Sequence, residues 1–149
     1  MQPVLIDRGR YRKYGKLYKR GNKKLIHCGH DYDCPYESNV FAVTFGTVIY
    51  SEYNKSFQGH VVMINHQNKN ENGFVAIYGH LKDVDLEVGD VVQTNQIIGR
   101  INHYKVGNDD LPHLHFAIWR DNNIPNIAWG YVDNLDNYVN PIFYLEELC

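Results

Sequence analysis

The chain has 149 residues, 44% of them apolar and 13% aromatic, which is enough for one domain with a real core. The formal charge of −2 hides an asymmetry: residues 1–24 carry nine basic residues against Asp7 alone, a net +8, and the remainder carries −10. An acidic body repels nucleic acid, no apolar run reaches the length of a membrane span, and Met1-Gln2-Pro3-Val4-Leu5-Ile6-Asp7 lacks the apolar core of a signal peptide, so none of those three roles is expected.

Residues 1–24 mix Tyr11, Tyr14 and Tyr18 with the basic side chains and show neither a 3.6 nor a 2 periodicity. They are expected to form an irregular basic N-terminal arm ahead of a domain at 25–149. Charge complementarity favours an arm lying on its own acidic domain over one reaching an external polyanion.

From Leu25 the pattern is all-β. Strand-like runs appear at 25–31, 40–43, 46–50, 60–65 and 74–81, with turn signals between them. Asn68 to Gly73 reads as a polar hairpin loop, and Glu87-Val88-Gly89-Asp90 opens a second hairpin from Val91-Val92 to Ile97-Ile98-Gly99. Residues 103–112 are polar and turn-rich. They lead into His113-Leu114-His115-Phe116, where a period of two puts both imidazoles on one strand face and Leu114 and Phe116 towards the core. Asp121-Asn122-Asn123 is a turn, residues 126–141 are a loop rich in Asn and aromatics, and Ile142 to Leu148 is expected to form one or two helical turns. Cys28, Cys34 and Cys149 cannot all pair within one chain and match no paired Cys-x-x-Cys ribbon, so Cys28 and Cys34 are expected as buried free thiols.

Three stretches carry chemistry together. In His27-Cys28-Gly29-His30-Asp31 the first and last residues share a strand face, with Gly29 between them leaving room for a metal. His80 ends the run Phe74 to Leu81. A hydrolytic zinc site needs three protein ligands and one open position, which His27, Asp31 and one member of the His113/His115 pair supply. The remaining pair member and His80 then flank the open position, able to move protons or stabilise an oxyanion.

These residues resemble the lysostaphin/LytM-type zinc endopeptidases, peptidoglycan hydrolases, over about residues 25–145. The resemblance rests on His27-x-Gly29-x-Asp31, Tyr78-x-His80-Leu81 and His113-Leu114-His115-Phe116 in order, with Gly46-Thr47-Val48, Val62 to His66, Gly89 to Val92, Ile97 to Gly99 and Asn140-Pro141 as connecting landmarks. It implies an all-β, mainly antiparallel fold of the duplicated hybrid motif type with a substrate groove. It further implies one Zn2+ held by His27, Asp31 and His115, with His80 and His113 sharing the base and oxyanion roles in hydrolysis of stem peptides or cross-bridges. The substrate would be peptidoglycan peptide outside the cytoplasm, reached by export or by phage delivery, and the basic arm would offer a second contact to anionic wall polymers. The family also contains non-catalytic regulators and scaffolds that have lost zinc ligands; the presence of all five residues argues against that alternative. A structural zinc in a polyanion-binding protein would want four protein ligands and leave the extra histidines without purpose.

Several positions depart from the family pattern or lie outside it. His30 stands where an apolar residue is usual and is expected to face away from the metal. Asn95 replaces a turn glycine, which its tolerance of left-handed backbone permits. The loop at Asn102 to Asp110 and the long loop at 126–140 are expected to wall the groove, with Tyr104 and Trp129 as its aromatic sides. His60 and His66 are expected as sheet or hairpin residues, and His103 as a groove-side loop residue. Asp109 and Asp110 would point apart on a strand, which disfavours a glycosidase pair.

Overall fold

The computed structural model describes residues 2–66, 73–121, 123–125 and 130–148. The hairpin loop expected at 68–73 lies outside the described residues apart from Gly73, as do Asn122, Trp129 and Cys149.

Strands β1 (Leu17–Arg20) and β2 (Lys23–His27) form a hairpin, followed by the short β3 (His30–Tyr32) and β4 (Asn39–Phe41). The long strands β5 (Gly46–Asn54), β6 (Gly59–His66) and β7 (Phe74–Lys82) come next, with a 3-10 turn at Lys55–Phe57 capped by the Asn54 side chain. After β8 (Val91–Val92), β9 (Ile97–Ile101), β10 (Lys105–Val106) and β11 (Asp109–Asp110), the chain enters β12 (Leu114–Trp119). It closes with β13 (Tyr131–Val132), β14 (Tyr138–Val139) and helix α1 (Pro141–Glu147), whose N-cap Asn140 accepts from the Ile142 amide ahead of a helix-starting proline.

All pairings among the described residues are antiparallel. The main sheet runs β14-β12-β7-β6-β5-β8, with β3 on β12 and β9 joining β7 to β4; β1, β2 and β13 make a second sheet, and β10-β11 a ribbon. The mainly antiparallel β architecture matches the expectation. The hairpin expected between 91 and 99 does not form as such, because β8 pairs with β5 and β9 with β4 and β7. The turn between them still uses Asn95 at φ 64°, as its side chain allows.

Period-two alternation on the central strands feeds two apolar layers. Val62, Ile64, Phe74, Ala76, Tyr78, Leu114, Phe116 and Ile118 fill the larger core. Val61, Met63, Val75, Ile77 and Ala117 face the smaller one with Cys28 and Phe57, and Val132 of the second sheet packs against it. His115 shares the alternation of Ala117, so it emerges on the side that the second sheet covers.

The arm is docked on its own domain. Arg8 and Arg10 both donate to the buried carboxylate of Asp33, Val4 is in the larger core, and the Phe41 amide donates to Pro3 O. Part of the arm is regular: β1 pairs with β2 from Leu17↔Ile26 to Arg20↔Lys23, so residue 24 lies inside a hairpin. Cys28 and Cys34 are buried and unpaired, and burial pushes each thiol up to about 12, which leaves them inert.

His66, expected as a sheet or hairpin residue, ends β6 and is buried. Its Nδ1 lies 3.1 Å from Phe45 O and its Nε2 2.8 Å from the Tyr78 hydroxyl, which accepts from the Val43 amide. Burial lowers its pKa to about 4. An unfolded histidine titrates near ~6.5, so between those values the unfolded chain holds a proton the folded chain lacks, and stability falls as pH drops through that window by roughly 3 kcal/mol. The free-energy difference between wild type and His66→Gln, from urea unfolding at several pH values, should therefore shrink by about that amount from pH ~7 to pH ~4. A difference that does not change with pH would refute it.

Candidate metal centre

His27, Asp31 and His115 converge. His27 Nε2 and His115 Nδ1 each lie 3.1 Å from Asp31 Oδ1, and all three side chains are buried. A tetrahedral zinc with bonds of about 2.0–2.1 Å separates its ligand atoms by roughly 3.3 Å, which the two Asp31 contacts match, and all three ligand atoms lie within 4.8 Å of one another, so this set of two imidazoles and a carboxylate suits such an ion. The second nitrogen of His27 lies 3.1 Å from Lys13 O; with an ion bound, donation there would fix the tautomer and leave the Nε2 lone pair for the ion. Burial by itself pushes the Asp31 carboxyl up, but hydrogen bonds from His115 and His27 and the charge of His113 hold it well below the usual range.

The fold reaches this arrangement by a different route from the one-strand expectation. β2 ends at His27 and β3 starts at His30, and the two strands belong to different sheets. The His27/Asp31 pair is therefore made across a sheet junction, not by alternation along one strand. Nor does Gly29 hold space for an ion: a Cβ there would lie 2.5 Å from Phe116 O and 3.0 Å from His115 Cε1. It lets β12 and the His115 ring approach, and Gly130, at φ 96°, packs on the other contact with that ring, where a Cβ would also come to 3.0 Å of Cε1.

His80 reaches the cluster through a bulge. Between the pairs Val62↔Tyr78 and His60↔Leu81, β7 has one residue more than β6. Simple alternation would send His80 to the larger core with Tyr78; the extra residue and a left-handed φ of 67° turn it out and restore Leu81 to that core. Its Nδ1 is 2.6 Å from Phe57 O, and its ring centroid is 4.3 Å from that of His113. Burial, followed by the charge of His113, lowers its pKa well below the usual value.

His113 sits one residue before β12, with Nδ1 2.7 Å from Leu111 O and Nε2 3.7 Å from Asp31 Oδ2. Both flanking histidines thus donate Nδ1–H to backbone carbonyls and turn Nε2 towards the cleft.

The other candidates separate as their neighbours dictate. His30 bonds Asp7 Oδ2 at 2.8 Å, away from the cluster, and His60 bonds Ser51. His103 stacks on Tyr36 at 3.7 Å and bonds Asp110, whose carboxylate also accepts from the Tyr104 amide, so that aspartate organises a loop. Tyr104 does line the cleft, with its ring 4.6 Å from His80 and 5.0 Å from His113.

The cleft measures about 320 Å³ and contains all five residues. A larger concavity of about 620 Å³ shares only Tyr131 with it and holds none of the histidines, so its size does not make it the reactive site. Tyr11, Arg12 and Tyr18 from the arm and Tyr131 of β13 also line the cleft. The interleaving of tyrosines with basic residues in the arm was the one local signal for the first three; Tyr131 falls in the 126–140 loop expected to wall the groove.

Comparison with known proteins gives a consistent family. The model of peptidase family M23 matches residues 25–127. Stage II sporulation protein Q of Bacillus subtilis (strain 168) is 33% identical over 114 residues, which is 76% of this chain and 35% of that protein. The chain thus spans about a third of the length of this curated relative. The catalytic domain of the antimicrobial peptidase lysostaphin from Staphylococcus simulans superposes with a TM-score of 0.66 at 23% identity, over 91% of this chain and 90% of that one, which shows the shared fold. The structure of the SpoIIQ-SpoIIIAH pore forming complex matches with a TM-score of 0.56 at 26% identity, over 89% of this chain and 78% of that one.

Proposed function

The chain belongs to peptidase family M23, and from that membership we propose that it is a zinc-dependent endopeptidase hydrolysing peptide bonds in peptidoglycan stem peptides or cross-bridges. The observation that carries this reading is the convergence of His27, Asp31 and His115 beside two further histidines, His80 and His113, that line the same cleft. His27, Asp31 and His115 would hold the ion. When bound, zinc supplies a Lewis acid for the scissile carbonyl and lowers the pKa of water to roughly 7.

The chain's own groups do the rest. His80 and His113 are pre-set as proton acceptors by their Nδ1–H bonds to Phe57 O and Leu111 O. One Nε2 takes a proton from the attacking water; an imidazolium then donates to the carbonyl oxygen as negative charge collects there, or to the departing amine. Asp31 keeps its negative charge throughout, and its Oδ2 faces His113 Nε2. Rings of Tyr104 and Tyr131 form apolar walls for an extended peptide. Such a substrate lies outside the cytoplasm, and no helix among the described residues is long and apolar enough to cross a membrane.

A second reading has one observation in its favour: the 33% identical relative, SpoIIQ, occurs in a complex with SpoIIIAH. On that reading the chain binds a protein partner and cuts nothing. Incubation of zinc-loaded protein with purified peptidoglycans of defined cross-link, with mass analysis of the products, separates the two. Release of peptide fragments that stops on chelation and returns with zinc is expected; intact peptidoglycan with a fully loaded protein would overturn the peptidase reading.

A further inference from the structure

The arm does more than cover the domain. Asp31 N donates to Arg12 O at 2.9 Å and His27 Nδ1 meets Lys13 O, so the backbone at 12–13 is tied to two of the three candidate ligands. Arg8 and Arg10 are both spent on Asp33, whereas Arg12 points to the cleft. Its guanidinium lies over the rings of Tyr18, 4.8 Å to the centroid, and Tyr131, 5.3 Å, and donates one hydrogen bond to the Tyr131 hydroxyl. Among the described residues it has no carboxylate partner. Tyr131 in turn lies 5.1 Å, ring to ring, from His27.

A guanidinium stacked on aromatic faces keeps its in-plane N–H donors at the edge, in the fork geometry that matches a carboxylate. Among the described residues, the only carboxylate in the cleft lining is Asp31, which is committed to the histidines. We propose that Arg12 is a specificity-determining residue that binds a free carboxylate on the peptide next to the scissile bond. The proposal rests on the peptidase reading for its substrate, a peptide, and goes beyond it in naming the charged group recognised. It also makes residues 11–13 part of the working cleft.

The test is equilibrium binding of a soluble peptidoglycan stem peptide with its carboxylates free, against the same peptide with those carboxylates converted to carboxamides. Wild type, Arg12→Gln and Arg12→Lys are compared at equal, measured metal content, so that any carboxylate binding by the metal is common to all three. Charge-assisted, bidentate hydrogen bonds predict that wild type prefers the carboxylate form by about tenfold more than Arg12→Gln does, with Arg12→Lys in between. Thermal unfolding of each variant checks that the arm stays docked. An equal preference in wild type and Arg12→Gln, or none in wild type, overturns the proposal. Peptidoglycan hydrolysis is scored separately: cleavage without an Arg12-dependent preference removes this inference alone, and an Arg12-dependent preference without cleavage removes the peptidase reading while leaving the carboxylate site.

Discussion

His115→Ala should lose its zinc and all measurable peptidoglycan turnover. A structural zinc in a small domain is worth about 10–16 kcal/mol across four protein ligands, so one ligand accounts for roughly 3 kcal/mol and its removal for a hundredfold or more in affinity. The loss is compounded by geometry. His115 Nδ1 meets the same Asp31 oxygen as His27 Nε2, and its ring is lodged against Gly29 and Gly130; without the ring the junction between the two sheets loses its filler. Metal content after dialysis against a competing chelator gives the first readout and peptide release the second. Comparison with chelated wild type controls for a fold that loosens. A His115→Ala protein that keeps a full complement of zinc would show that the ligand set is misassigned.

His113→Ala and His80→Ala should instead keep their zinc and lose turnover by about 10²- to 10⁴-fold, the usual cost of removing a proton-transfer or oxyanion group. Neither ring belongs to the convergent set: His113 Nε2 stands 3.7 Å from the outer oxygen of Asp31, and His80 Nδ1 is bound to Phe57 O. His80 occupies left-handed backbone, which costs an ordinary side chain on the order of 1–2 kcal/mol. His80→Asn tolerates that conformation better than His80→Ala, so it isolates the imidazole from the turn. Zinc loss by His113→Ala with retention by His115→Ala would mean the pair is reversed. Retention of both zinc and activity by all the variants would end the catalytic reading.

The strands and the five candidate residues were legible from local chemistry. Near-continuous apolar runs, as strands buried on both faces require, mark β6, β7 and β12, and a period of two puts Leu114 and Phe116 in the larger core with His115 on the opposite face. The helical turns expected from Ile142 form as part of α1, and Asn95 takes its tight turn, because each depends on a short stretch and its own backbone. Strand partners were less accessible. The sequence places 91–92 and 97–99 as neighbours, yet the hydrogen bonds go to β5, β4 and β7, since an edge pairs with whatever strand the packed core brings alongside.

Sequence alone determined which side chains can bind a metal or move a proton, because ligand chemistry and strand period are properties of short stretches. Tertiary structure decided how they meet. It split His27 and Asp31 between two sheets, turned His80 out through an extra residue in β7, and used Gly29 for the close approach of β12. It also brought Arg12, Lys13 O and Tyr131 to the cleft from the arm and from a strand about a hundred residues away in the chain. A period of two says which face a residue takes on its own strand; it carries no information about the bulge that reverses that face, or about the second sheet that folds over it.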